Sequence, residues 1–459
     1  KIFLGQISYI TEALATVLQL GVTMDFSIFL LHRFEEERDG GADDETAMVR
    51  AVQKTFSSIS ASSLTTIAGF LALCTMRLTL GMDIGLVMAK GVLLGVICTL
   101  TVLPALIMTF RGAIRRHTHR TFIPKLSRTA RFVVKHRAPI LIVFLVCFLP
   151  FSIAQAKTPV YYTIFDALPQ DLPGIAGTNR LKEDFDMTTS HFIIVEDDVP
   201  EKELQALTEA LGQVDGVHQV LSYETFLGAG IPERFLPQEA RSLFEAGGHK
   251  LLLVNSSYKS GSDAQNAQLD EMTALVKQYD PNGVITGEGA MTKDLIEVAD
   301  EDFRSVNVSS IVLVFLIVAL SFRSLSVPVL LVAAIESAIM INMGIPYFAG
   351  HTLPFVASIV IGTIQLGATV DYAILMTTRF REEMNAGHTA QEAARISVEQ
   401  CSQSILTSGL TFFAATFSVS LVSKMELIGS LCRLISRGAL ISMEDRKSTR
   451  LNSSHLRIS

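Results

Sequence analysis

The chain has 459 residues, of which 49% are hydrophobic and only 18% charged, and its mean hydropathy is +0.40. That composition excludes a wholly soluble protein and points to several membrane helices, each needing roughly 20 apolar residues to cross a core about 30 Å thick. The net charge of −7 excludes little, because membrane orientation depends on where Lys and Arg sit rather than on their sum.

In chain order, apolar runs predict helices at 8–33, 55–76, 84–109 and 138–155, then at 305–322, 326–347, 354–379, 401–422 and 427–443. The segment "RGAIRRHTHRTFIPKLSRTARFVVKHR", residues 111–137, carries nine Lys or Arg and no acid, which predicts a cytoplasmic loop. Alternating sides from that anchor puts residues 157–303 outside the cytoplasm and Arg33, Arg323 and Arg379 inside, each at a helix end. The charged stretches 35–51 and 381–397 are expected to be helices on the cytoplasmic surface.

Residues 157–303 are soluble in composition. "HFIIVED" (191–197), "KLLLVNSS" (250–257) and "NGVITGEG" (282–289) predict strands, and 199–214 and 263–279 predict amphipathic helices, so an α+β unit is expected. All five cysteines (Cys74, Cys98, Cys147, Cys401 and Cys432) fall in apolar runs, which argues against a disulfide framework or a CxxC metal site. His32, His117, His119, His351 and His388 show no metal-like spacing. The chain opens without Met at "KIFLGQISYI" and is expected to be incomplete there. "DRKSTRLNSSH" near the other end resembles a translated sequencing adapter, so residues 444–459 are read as a scar.

An internal repeat organises the rest. Residues 20–37 align without gaps on 366–383, an offset of 346, and nine of the eighteen positions are identical. Among them Gly21, Asp25, Arg33, Glu36 and Glu37 recur as Gly367, Asp371, Arg379, Glu382 and Glu383. At the same offset Ile59, Ser62, Leu64 and Thr65 recur as Ile405, Ser408, Leu410 and Thr411, and "AKGVLL" (89–94) later meets "SRGALI" (436–441). Both copies run in the same direction, a parallel repeat of the kind built into transporters.

A charged side chain at mid-membrane costs at least about 2.5–3.5 kcal/mol. A carboxylate reduces that cost by facing the bundle interior and taking up a proton, so Asp25 and Asp371 are the candidate proton carriers, facing each other across a pseudo-two-fold axis. Gly21 and Gly367 lie one turn earlier on the same helical face and are expected to let partner helices approach closely. The bland alternative is a polar pair that only fixes helix register. Glu336, roughly mid-span, is either a second protonatable or substrate site or a carboxyl satisfied by Asn342 and nearby hydroxyls. The Ser/Thr runs at 57–70 and 402–413 are expected to serve packing, or to hold water beside the aspartates.

The G-x-x-x-D-[YF] phrase, the R-F-x-E-E that follows, the Ser/Thr-rich next helix and the soluble insert together resemble the MMPL branch of the RND (resistance–nodulation–division) transporters. The resemblance covers residues 1–443. It implies an α-helical polytopic membrane protein, a parallel-repeat RND bundle, with one extracytoplasmic α+β porter-like domain. Residues 1–110 would then be the last three spans of the first half and 111–137 a basic linker. Residues 138–156 would open the second half, 157–303 form the porter-like domain and 304–443 supply the remaining spans.

The family's proton relay pairs each Asp with the Tyr that follows the opposite Asp. Carried over, Asp25 pairs with Tyr372, but Phe26 stands where Asp371 would look for its phenol. An unsymmetrical relay is therefore expected, with the two carboxylates titrating differently. The resemblance further implies proton-driven export of lipids or other hydrophobic or amphiphilic compounds, multidrug efflux among them, with no enzymatic activity and no cofactor beyond the proton gradient. The expected partners are the membrane, a lipid-like substrate and a homo-oligomer, and the expected location is a bacterial inner membrane. An intramembrane aspartyl protease, or a non-transporting lipid- or sterol-sensing protein on the same fold, are the competing readings.

Overall fold

A computed structural model describes residues 7–117, 127–163, 168–169, 171–223, 225 and 242–449. Two compact units emerge: residues 1–160 with 301–459, and residues 161–300.

The described residues of the first unit are almost all helical. It opens with α1 (Tyr9–Asp39), α2 (Asp44–Ala72), α3 (Thr79–Arg116), α4 (Ser127–Lys135) and α5 (Arg137–Lys157). Among the described residues, eight helices are long and apolar enough to cross a membrane. The segments 35–51 and 381–397 are not separate surface helices, as expected, but the ends of longer ones. Each span runs straight through its charged segment and stops only at a short turn, where Gly41 (φ 94°) and Gly387 (φ 93°), 346 positions apart, take a left-handed backbone. The expected basic linker is likewise helical at both ends, in α3 and α4, and its residues 118–126 lie outside the described residues.

In the second unit α6 (Pro173–Phe185), α7 (Glu201–Gly212) and α8 (Asp263–Tyr279) accompany five antiparallel strands. These are β1 (Thr189–Glu196), β2 (Val217–Leu221), β3 (Glu245–Ala246), β4 (His249–Ser256) and β5 (Val284–Gly287). The order is β2–β4–β1–β5, with β3 on β4. Period-2 alternation points Ile193 and Val195 of β1 and Leu252 and Val254 of β4 to one face, where they meet Leu204, Leu207 and Leu211 of α7 and Met272 and Val276 of α8. The α+β expectation for this segment matches the observed architecture, although α6 and β2 were not foreseen.

The chain continues through α9 (Glu288–Phe322), α10 (Ser326–Ala349), α11 (Phe355–Asn385), α12 (Ala390–Val422) and α13 (Glu426–Thr449). Its backbone stays helical beyond Met443, so no break falls at residue 444, and residues 450–459 lie outside the described residues. The repeat gives the bundle its plan. Helices α1, α2 and α3 correspond to α11, α12 and α13, and the copies interlock crosswise, α1 packing on α12 and α11 on α2. Asp302 of α9 accepts the backbone N–H groups of Arg77 (2.7 Å) and Leu78 (3.0 Å), capping the start of α3.

Candidate functional site

Asp25 on α1 and Asp371 on α11 line one small cavity of about 40 Å³, together with Phe26, Tyr372, Ser62 and Ser408. Asp371 is buried, 7% exposed, and Asp25 is half-buried. The structure thus brings together the two carboxylates that the repeat singled out, at one cavity inside the bundle.

Each carboxylate is served by a hydroxyl from the opposite repeat. Ser408 of α12 donates to Asp25 Oδ1, and the Tyr372 hydroxyl lies 2.8 Å from Ser408 Oγ. Because the Ser408 proton goes to Asp25, the phenol must be the donor in the second bond. One link between Tyr372 and Asp25 therefore runs through Ser408, as a directed chain from phenol to hydroxyl to carboxylate. Such chains strengthen one another in a low-dielectric interior.

The second carboxylate corrects the expectation drawn from Phe26. Asp371 does not lack a hydroxyl donor, since Thr66 Oγ1 of α2 lies 3.0 Å from Asp371 Oδ1 and is itself fully buried. Thr66 had been included only in a run assigned to packing or water. Its signal was in the sequence all the same. At the 346-residue offset its counterpart is Phe412, so hydroxyl and phenyl exchange places here as they do between Tyr372 and Phe26.

The two glycines sit opposite those exchanged positions. A Cβ on Gly21 would fall 2.1 Å from the Phe412 ring, whereas one on Gly367 would meet nothing closer than Thr66 O at 3.6 Å. Gly367 allows close approach to α2, its Cα lying 3.4 Å from the Cβ that Gly69 would carry. Only at Gly21 does the contact with the second helix of the other repeat leave no room for a Cβ.

Glu336 lies in α10, half-buried, with no hydrogen bond or ion pair among the described residues. Asn342, its expected partner, is engaged elsewhere. Its amide nitrogen donates to Gln365 Oε1 (2.8 Å) and Leu434 O (2.9 Å), and its oxygen accepts from Arg437 (2.8 Å). Glu336 is not brought to the aspartate cavity, whose lining does not include it.

A larger cavity of about 740 Å³ lies among the charged ends of α1 and α11 and shares Phe29, Ser58, Leu375 and Ser404 with the small one. Ser58 and Ser404 are equivalent under the repeat. At its rim the repeated arginines reach across: Arg379 to Glu36 (2.9 Å) and Arg33 to Glu382 (3.7 Å), each also pairing with acids of its own helix. This reciprocal clasp ties the end of one repeat to the other.

Comparison with known proteins agrees with this architecture. The MMPL family model matches residues 1–140 and 180–443. The membrane protein ActII-3 of Streptomyces coelicolor is 25% identical over 451 residues, covering 94% of this chain and 59% of that protein. "Probable transport protein MmpL4" of Mycobacterium leprae is 26% identical over 160 residues, 33% of this chain and 17% of that one. Among solved structures, SecDF in its super-membrane-facing form superposes with a TM-score of 0.58 at 15% identity, covering 97% of this chain and 54% of that one. The chain thus spans a little over half the length of the relatives that it matches end to end. With eight helices able to cross a membrane and a family match over most of its length, this chain is a multi-pass membrane protein and belongs to the MMPL family.

Proposed function

We propose that the chain is the proton-coupled core of an exporter for lipids or other hydrophobic or amphiphilic compounds, with Asp25, Asp371 and Tyr372 carrying the proton traffic. The observation that carries this reading is one carboxylate from each repeat, placed at one small internal cavity and served by hydroxyls from the opposite repeat. A group that gains and loses a proton needs partners able to reorient, and hydroxyls provide them. The larger cavity beyond Ser58 and Ser404 offers a water-accessible route from the carboxylates to the end of the bundle that carries Arg33 and Arg379. The basic segment 111–137 supports placing that end in the cytoplasm and residues 157–303 outside a bacterial inner membrane.

Each proton crossing the membrane potential supplies about 2.3 kcal/mol per 100 mV, so neither a nucleotide nor a cofactor is needed. Protonation changes the pull of each aspartate on the helix opposite and shifts the α1–α12 contact relative to the α11–α2 contact. Glu336 is a second candidate for protonation or substrate contact. A peptidase would need room for an extended substrate at the carboxylates, and about 40 Å³ admits little more than a water molecule.

The test places Asp25→Asn and Asp371→Asn in the full-length protein, reconstituted in proteoliposomes with a pH-sensitive dye inside. Each substitution is expected to abolish proton flux while leaving the protein folded. Undiminished flux in both variants would refute the reading.

A further inference from the structure

We propose that Thr66 is the proton-relay partner of Asp371, supplying from α2 the hydroxyl that Phe26 cannot supply from α1. The proposal rests on reading Asp371 as a carboxyl that gains and loses a proton.

Three observations carry it. Thr66 Oγ1 lies 3.0 Å from each of three acceptors, Asp371 Oδ1, Gly367 O and Ser62 O, and has a single hydrogen to give. Its side chain is fully buried, so water does not compete. Its counterpart in the other repeat, Phe412, has no hydroxyl, and there the phenol of Tyr372 is present instead.

The three acceptors define a rotor. With Asp371 ionised, the Thr66 hydroxyl points at Oδ1 and stabilises the charge. When Asp371 takes up a proton from the cavity, that proton is donated to Thr66 Oγ1. The hydroxyl hydrogen then turns to Gly367 O or Ser62 O. No covalent bond of Thr66 breaks, and its hydroxyl hydrogen keeps an acceptor in either state. Phe26, 3% exposed and against the same cavity, can do none of this. The repeats thus reach the same end by different residues: a hydroxyl chain through Ser408 to Asp25, and a single rotor for Asp371.

The titratable or charged groups on the helices around Asp371 include Asp25 on α1, Tyr372 and Arg379 on α11, Cys401 and Glu399 on α12, Glu336 on α10 and Cys432, Arg433 and Arg437 on α13, with Lys54 farther along α2 at Glu37. None is altered in the test. The full-length protein in detergent is treated with dicyclohexylcarbodiimide, which modifies protonated buried carboxyls, across a pH series, and labelling of Asp371 and Asp25 is read separately by mass spectrometry.

Thr66→Val is expected to move the Asp371 midpoint up by about one pH unit, the worth of one hydrogen bond to the ionised form, and to leave Asp25 in place. Thr66→Ser should restore the wild-type profile, and Thr66→Val combined with Phe26→Tyr should bring it part of the way back. A Thr66→Val profile that superposes on wild type, or a Thr66→Ser profile shifted as far as Val, overturns the proposal. Should Val not fold, the near-isosteric Thr66→Cys, a weak donor, carries the test, and a midpoint equal to wild type again overturns it. Labelling needs no transport. A shifted midpoint with flux that ignores the aspartates supports Thr66 and fails the exporter reading, whereas an unshifted midpoint with normal coupled flux fails Thr66 alone.

Discussion

The two repeats place the same carboxylate one turn after the same glycine, yet they surround it differently. In the first the hydroxyl comes from Ser408 of α12, and in the second from Thr66 of α2. Asp25 is reached through a chain of two hydroxyls and Asp371 by one. Under the duplication each aspartate keeps a hydroxyl at hand, and the position that supplies it changes. Two half-bundles built alike therefore hold their carboxylates through different residues.

The largest expected difference between the repeats lies at their clasp. Arg379 holds Glu36, Glu382 and Glu383 at 2.9–3.1 Å and donates to Gln400 at 2.6 Å. Arg33 has one acid at 2.8 Å and two at 3.7 Å. The first repeat also has a second cation, Lys54 on Glu37 at 2.5 Å, where the second has Gln400. Arg379→Ala is expected to cost about 2–3 kcal/mol, below the full cost of a buried pair because Glu36 and Glu382 are 45% and 40% exposed. Arg33→Ala should cost about half as much, since Lys54 remains. Thermal unfolding of both variants in detergent checks the order, and equal losses would break the comparison at this end.

A smaller contrast lies at the glycines. Gly21→Ala drives a methyl into the buried Phe412 ring and is expected to destabilise by about 1–3 kcal/mol. Gly367→Ala meets only ordinary contacts and should stay within about 0.5 kcal/mol. Measured against Phe412→Thr alone, which itself empties a buried site at about 3–5 kcal/mol, Gly21→Ala should recover to near neutrality, since that background places at Gly21 the neighbour found in the second repeat. Failure to recover would mean that backbone approach, and not the ring, demands glycine at position 21.

The repeat itself was legible because it is written in residues with few substitutes inside a membrane: Gly21, Asp25, Arg33 and Glu36 against Gly367, Asp371, Arg379 and Glu382. The site was legible only in part. Identities revealed the carboxylates, but Thr66 lies at a mismatch, and it becomes meaningful only when that mismatch is set beside the one at Phe26. Ser408 was visible as a repeated serine, but that it links Tyr372 to Asp25 depends on how α12 crosses α1. Helix α6 was missed because it buries no residue in the described structure and so carries no apolar period, and β2 because it is five residues long. The surface helices were misjudged because charge marks where a helix leaves the membrane and not where it ends.

The smallest expected effect concerns how the second helix of each repeat begins. Asp43 and Thr389, also 346 positions apart, are the N-caps of α2 and α12. Asp43 accepts the Thr46 N–H at 3.2 Å, while Thr389 and Glu392 form a full capping box. Thr389→Ala is expected to cost about 1 kcal/mol. Hydrogen bonds from Thr46 hold the Asp43 carboxyl below the usual aspartate range. A carboxyl whose pKa is lowered on folding stabilises above its ordinary range and loses that contribution as the pH falls through the lowered value. Acidification should therefore loosen the start of α2 by removing its cap acceptor. At α12 the Glu392 carboxyl, also held low by Thr389, weakens in the same direction, but the Thr389 hydroxyl does not titrate and still accepts the Glu392 N–H. Amide exchange at Thr46 and Glu392 over a descending pH series, corrected for intrinsic rates, should show protection falling further at Thr46. Asp43→Ser, a cap without a titrating group, should remove the difference.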